Sequence, residues 1–170
     1  MATSAPSNIA VNAGLVFAVP LADKMFGFGQ LVASQRPIFY MVGYDKSADS
    51  PDVDEADIRK AKPVLLGNFF DILIRNGRWQ VVRQQETPKV PFPCFKIKIE
   101  DKFCVESWNR QQIREANSEE CINLQFRSNH SAMVLEDALK AYFGLRPWEP
   151  RFDSLKAEAV ARVSQMFLPN

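Results

Sequence analysis

Short apolar runs alternate with turn residues along the N-terminal third of the chain, a pattern typical of successive β-strands. The run 15–19 predicts a buried strand that ends at Pro20, because proline has no N–H to donate to a strand ladder. In the run 26–29, two phenylalanines alternate with two glycines, which places both rings on one face and allows the backbone to bend or bulge. A third strand is predicted over residues 37–43.

The segment 45–62 interrupts this pattern because it is polar, acidic at its start and basic at its end. It predicts an exposed loop that leads into a short helix. Asp52 is the predicted N-cap, with Glu55 three residues later, and this order of charges suits the helix dipole.

Residues 64–83 permit two interpretations, since Asn76-Gly77 serves equally as a hairpin turn and as a helix stop. The helix is favoured over 68–76, with Asn68 as its cap. In the alternative, the same residues form the first strand of a hairpin. Both interpretations lead into a strand over 78–83.

The next predicted element after the proline-containing connection 84–93 is a hairpin. The alternation in 94–100 predicts its first strand, and 103–105 its second. The residues predicted to face the core are Phe95, Ile97 and Ile99, and the lysines predicted to face water are Lys96 and Lys98. A similar alternation in 121–126 predicts one more antiparallel strand.

Two helices are predicted at the C-terminal end of the chain. Ser131 caps the first and Gly144 ends it. Its apolar face consists of Leu135, Ala138, Leu139 and Tyr142. The second begins at Asp153, and its apolar stripe consists of Leu155, Ala159, Val163 and Met166.

Together these elements predict an α+β fold. Its framework is a strongly curved, mostly antiparallel sheet, or a partly open barrel, with two C-terminal helices packed on it. The length of 170 residues fits a single domain, 1–170, that needs no metal or disulfide to fold. Residues 1–12 are rich in Ala, Ser and Asn and are expected to be disordered.

Charge and cysteine usage narrow the class of protein. The chain has 21 Lys and Arg against 20 Asp and Glu, so no overall field attracts nucleic acid or an anionic membrane. Three cysteines without Cys-x-x-Cys spacing indicate neither a disulfide framework nor a zinc site. No basic residue precedes the apolar stretch 9–21, so a secretory signal is not expected. The chain is therefore interpreted as cytoplasmic, with no contact to a membrane.

Candidate catalytic chemistry is sparse. His130 is the only histidine, and a hydrolase in which it activates Cys104 or Cys121 is a minor alternative. The favoured interpretation is a protein without catalytic residues, bound metal or cofactor. The acidic run 52–57 lacks the central glycine and the downstream glutamate of a calcium loop.

The spacing of several residues resembles the immunity protein 26 family. The residues that carry the resemblance are Gly14, Val16, Phe17, Pro20, Leu21, Gly29, Val32 and the later Gly77-Arg78-Trp79, which precedes an apolar run. The resemblance covers about residues 13–110. It implies an immunity protein of a bacterial polymorphic toxin system, which binds a cognate toxin domain encoded nearby and neutralises it by occlusion rather than by catalysis.

Two features are candidates for contact with such a toxin. One is an exposed acidic cluster suited to steering toward a basic partner, namely Asp49, Asp52, Asp54, Glu55 and Asp57. The other is Trp148, a rigid aromatic side chain between two prolines. The alternative function is an SH3-like small-barrel module that recognises a peptide or a nucleic acid with its aromatic residues.

Overall fold

Two antiparallel sheets form the framework of the protein, as seen in a computed structural model that describes residues 10–164. The strands of the larger sheet are β1 (Leu15–Ala22), β2 (Met25–Gln35), β3 (Ile38–Ala48), β4 (Pro63–Phe70) and β5 (Gln80–Gln84). Their order is β4-β3-β2-β1-β5, so β4 and β5 are opposite edges and the sheet is not closed. The strands of the smaller sheet are β6 (Cys94–Ile99), β7 (Lys102–Ser107) and β8 (Ile113–Glu115), paired in that order.

Five α-helices and one 3₁₀ helix complete the described residues. They are α1 (Glu55–Lys60), α2 (Ile72–Arg75), α3 (Ser118–Asn123), α4 (Ala132–Tyr142), the 3₁₀ helix Pro150–Leu155 and α5 (Ala157–Ser164). The structure is therefore α+β with its longer helices near the C-terminus, which confirms the predicted fold class in its open-sheet form.

The larger sheet lies between two hydrophobic cores. Strand β1 is buried on both faces, because Phe17 points to the first core while its neighbours Val16 and Ala18 point to the second. Helix α4 and the 3₁₀ helix cover the first core. Helix α1, Trp108 and two residues of α5 cover the second.

Several predicted features are confirmed. The register of β2 against β3 shifts between Gly27 and Gly29, which is the irregularity that the glycines predicted. Ser131 caps α4, and Gly144 follows it with a φ of +74°, a conformation that favours glycine. Residues 85–93 form no helix or strand, and β6 and β7 form the predicted hairpin.

The prediction that Pro20 ends the first strand is wrong. Strand β1 continues through Pro20 to Ala22, and Pro20 pairs with Phe26 of β2. On the other side of β1, pairing with β5 reaches only as far as Ala18. Pro20 therefore has one neighbouring strand instead of two, which is the edge-like position that a strand tolerates for proline.

The polar loop predicted over 45–62 begins later than predicted. Residues 45–48 belong to β3, where Ala48 pairs with Phe26, so they are not part of a loop. The N-cap of α1 is Asp54 instead of Asp52, and its side chain makes no capping hydrogen bond.

Neither interpretation of 68–76 is correct. Asn68 lies within β4 instead of capping a helix, and the helix is the single turn α2 with Asp71 as its N-cap. A hairpin is not formed either, because β4 pairs with β3 while β5 pairs with β1. Residues 63–70 join the sheet because the edge of β3 offers backbone groups with which they pair.

The prediction of a strand over 121–126 is wrong. The first half of this region, 121–123, belongs to α3, which begins with a capping box in which Asn117 accepts from the Glu120 backbone and Glu120 accepts from the Asn117 backbone. The alternation therefore does not mark a buried face, and Ile122 is 81% exposed.

The hairpin and the C-terminal helices differ from prediction in which residues they bury. Phe95 is buried, but Ile97 is only half-buried and Ile99 is exposed, because the hairpin projects beyond the core. Lys96 does not point freely into water, since its Nζ donates to the Cys121 carbonyl at 2.6 Å. Tyr142 is exposed at the end of the otherwise buried face of α4.

The last helix begins at Ala157, after the 3₁₀ helix, instead of at Asp153. Its buried residue is Val160, whereas the predicted Ala159 and Val163 are half-buried. Met166 and residues 1–9 of the expected disordered stretch lie outside the described residues. Within that stretch, Val11 is buried in the first core.

Candidate functional site

The 49–57 segment, which contains the five predicted acidic residues, is anchored to one face of the larger sheet. Val53 and Ile58 point inward and are buried in the second core. The Arg83 side chain on edge strand β5 donates a hydrogen bond to the Val53 carbonyl. The segment therefore runs from the end of β3 to the neighbourhood of β5, with its apolar side chains holding it in place.

Its five carboxylates differ in how far they are neutralised. Asp57 pairs with Lys46 at 2.8 Å, and this hydrogen bond lowers the pKa of Asp57 below its ordinary value. Glu55 accepts from the Arg59 Nε at 2.8 Å.

The remaining three, Asp49, Asp52 and Asp54, are exposed. The Asp52 side chain is 93% exposed and lies 3.8 Å from Arg83, which is a weak contact in water. The available negative charge of the segment is therefore concentrated in these three residues.

Trp148 is half-buried and held by its neighbours. Its ring lies edge-on to Phe152 with the centroids 5.4 Å apart, and its Nε1 donates to Asp153 at 2.9 Å. The Lys156 ammonium lies 4.8 Å from the ring centroid. Trp148 packs on the first core, whereas the 49–57 segment packs on the second. The structure thus places the two predicted features on different faces of the larger sheet.

The candidate catalytic residues are not assembled into a catalytic arrangement. His130 is half-buried beside Phe69, and burial lowers its pKa. In the part of the chain that the structure describes, its ring forms no hydrogen bond with Cys104 or Cys121, and the ring Nε2 lies 3.4 Å from the Ser128 hydroxyl. Within residues 10–164 no group of three metal-ligating side chains comes together.

The Gly77-Arg78-Trp79 motif has a structural role. Gly77 has a φ of +76°, which turns the chain out of α2. Trp79 stacks on Phe17 with ring centroids 4.9 Å apart, and its Nε1 donates to the buried Glu136 of α4 at 3.1 Å. Arg78 donates to the same carboxylate at 2.6 Å. The motif therefore ties the start of β5 to α4.

One feature was missed from the sequence, a cavity of about 600 Å³ at the other end of β3 from the acidic segment. Three arginines line it, namely Arg36, Arg110 and Arg127. They are far apart along the chain and share no motif, so no spacing in the sequence connects them. Only the meeting of the β2–β3 turn, β4 and the residues after β7 places them together.

The comparisons with known proteins give one match. The family model described as Immunity protein 26 matches residues 12–105, which is more than half of the chain. No curated protein and no solved structure gives a significant match. Across residues 10–164, no helix has the length and apolar character needed to cross a bilayer.

Proposed function

The chain belongs to the immunity protein 26 family, and on that basis we propose that it binds a cognate polymorphic toxin domain and neutralises it by occlusion. The observation that carries the proposal is the family match over residues 12–105. The toxin is a protein encoded nearby, and the encounter takes place in the cytoplasm. The immunity protein contributes a preformed surface and no chemical step.

The 49–57 segment is the toxin-contact surface that we propose. Its apolar side chains are anchored in the second core, so its charged side chains project from a fixed backbone. Exposed carboxylates on such a surface accelerate association with a basic partner and disfavour partners of the same sign. Asp49, Asp52 and Asp54 provide most of this effect, and the paired Glu55 and Asp57 contribute less. Trp148 lies on the other face and is a secondary candidate, available to a toxin that also reaches that face.

Co-expression tests the function itself. The chain is expressed together with the toxin domain encoded beside it, and growth and complex formation on size exclusion are measured. Rescue of growth together with a stable complex is the expected result. Failure of both with an active toxin contradicts the proposal. A complex with a peptide or nucleic acid but no rescue favours the alternative of a recognition module.

Association kinetics test the proposed surface. The triple variant Asp49→Asn/Asp52→Asn/Asp54→Asn removes the unneutralised charges of the segment. We expect association to slow by about tenfold at low salt and to depend less on salt, because electrostatic steering is lost. The matched control neutralises three exposed carboxylates elsewhere, in the variant Asp23→Asn/Glu119→Gln/Asp101→Asn. Equal rates for the two triple variants would remove the segment from the interface.

A further inference from the structure

The cavity of about 600 Å³ described above is open to solvent, and six of its nine lining residues, three arginines, two asparagines and a glutamine, have side chains that donate hydrogen bonds. We call it the arginine cavity, after Arg36, Arg110 and Arg127. Its described lining includes no Asp or Glu. Pro37, Ile38 and Phe70 give it an apolar side.

Arg127 is a fixed part of the wall. Its guanidinium donates to Glu106 at 2.7 Å and to the Ser107 carbonyl at 3.0 Å, and it lies 4.2 Å from the centroid of the Phe95 ring. Its side chain is only 12% exposed. Because Glu106 neutralises it, Arg127 contributes position and shape rather than free charge.

Arg36 and Arg110 carry the free positive charge. Both are exposed, and the contact of Arg36 is with the neutral Asn12 side chain at 3.2 Å. Arg110 forms no ion pair with any residue in the 10–164 range. Two cations therefore face one cavity without a compensating carboxylate, which is complementary to a negatively charged group.

Asn68 adds an amide donor to the wall. The residue is 4% exposed, and its Oδ1 accepts from the Trp108 Nε1 at 2.7 Å. An indole N–H only donates, so this contact fixes which end of the amide is the oxygen. No atom among the described residues accepts a hydrogen bond from the Asn68 Nδ2. An oxygen atom entering the cavity could accept a hydrogen bond from this N–H₂ group.

We propose that the arginine cavity receives a carboxylate side chain, Asp or Glu, from a protruding segment of the partner toxin. This inference rests on the proposed function and adds a second contact to it. Arginine binds carboxylate in a planar, two-pronged geometry, and the half-exposed Phe70 ring packs against the methylene groups that carry it. Arginine and aromatic residues around a partly desolvated pocket are also the composition found at the centre of protein interfaces.

The arginine cavity is separate from the 49–57 segment. Strand β3 begins at Ile38 beside the cavity and ends at Ala48 just before the segment. Because the two contacts lie at opposite ends of one strand, substitutions in one leave the other in place.

The test measures toxin affinity of the full chain with the variant Arg36→Gln/Arg110→Gln. Both residues are exposed, and unfolding curves check that the variant is folded. We expect binding to weaken at least about tenfold through loss of two charged contacts. The matched control Lys89→Gln/Lys98→Gln removes two exposed positive charges outside the cavity and is expected to change affinity less than about threefold.

The partner residue is then found by replacing the exposed Asp and Glu residues of the toxin one at a time with Asn and Gln. One of these substitutions should weaken binding to the wild-type chain but cause no further loss with the arginine variant, since the two changes remove the same contact. Equal affinities of the arginine variant and the control for the toxin would overturn the inference while leaving the proposed function intact.

Two other outcomes also overturn it. Absence of toxin binding by the wild-type chain removes the proposed function and this inference together. Tight binding of inorganic phosphate to the chain alone, lost in the arginine variant, without coupling to any toxin carboxylate, identifies a small-anion site instead.

Discussion

Replacing Glu136 with alanine tests the contact that joins the Gly77-Arg78-Trp79 motif to α4. The Glu136 carboxylate is fully buried and accepts hydrogen bonds from Trp79 Nε1, from Arg78 and from Lys140, the last at 2.7 Å. This network connects the region matched by the family model to the C-terminal third of the chain. The loss of stability on removing this network measures how much the contact between these two parts stabilises the fold.

The expected loss of stability depends on whether each of the three donors can bond to water once the Glu136 carboxylate is removed. Trp79 is 0% exposed, so its N–H is left buried without an acceptor, which costs about 1–3 kcal/mol. The Arg78 and Lys140 side chains are 46% and 26% exposed, so both can regain contact with water. The lost packing of one methylene adds about 0.8 kcal/mol. We therefore expect Glu136→Ala to lower the free energy of unfolding by about 2–4 kcal/mol.

Glu136→Gln is the matched control, because its amide oxygen still accepts from Trp79 while the charge is lost. Its expected cost is smaller, about 1–2 kcal/mol. Urea unfolding followed by circular dichroism measures both variants at pH 7. If Glu136→Ala costs no more than Glu136→Gln, the Trp79 hydrogen bond does not stabilise the fold and the reasoning is refuted.

The pH dependence gives a second readout of the same network. Burial raises the pKa of Glu136, but hydrogen bonds from Lys140, Arg78 and Trp79 outweigh burial and lower it below the ordinary value of 4.5. A carboxylate with a lowered folded-state pKa adds stability above its unfolded pKa, and this is lost as pH falls through the folded value. The difference in the free energy of unfolding between wild type and Glu136→Gln should therefore become smaller below about pH 4.5.

Two further substitutions test local features of the fold by urea unfolding. A Cβ at Gly29 would lie 2.5 Å from the Phe17 ring and 2.7 Å from the Val42 carbonyl, so Gly29→Ala should cost about 1–3 kcal/mol. Gly27→Ala, which meets only the flexible end of Leu21 at 3.0 Å, should cost less, and the reverse order would contradict this packing argument. Asn117→Ala removes the cap of α3 and should cost about 1 kcal/mol, whereas Asn117→Asp keeps the acceptor and should restore stability. Identical stabilities of the Ala and Asp variants would show that the cap does not matter.

Features that depend on neighbours along the chain were predictable from the sequence. The cap at Ser131 and the stop at Gly144 define α4 because both act within one helical turn. The bulge at Gly27 and Gly29 is likewise a local backbone property. The family resemblance also depended on local spacing, and the family model confirms it over residues 12–105.

Features that depend on a distant partner were not predictable in the same way. Residues 68–70 have helix signals, yet they join β4 because the edge of β3 offers backbone hydrogen bonds that a short isolated helix cannot match. Pro20 is tolerated inside β1 only because β5 does not extend alongside it. These outcomes depend on which strands become neighbours.

The sequence by itself determined the α+β class, the family and the acidic composition of the 49–57 segment. Only the tertiary structure decided that this segment and Trp148 lie on different faces of the larger sheet and that three arginines surround one cavity. The physical reason is that strand pairing and side-chain burial join residues that are distant along the chain. A surface is made by that pairing, whereas a helix cap or a turn is complete within a few residues.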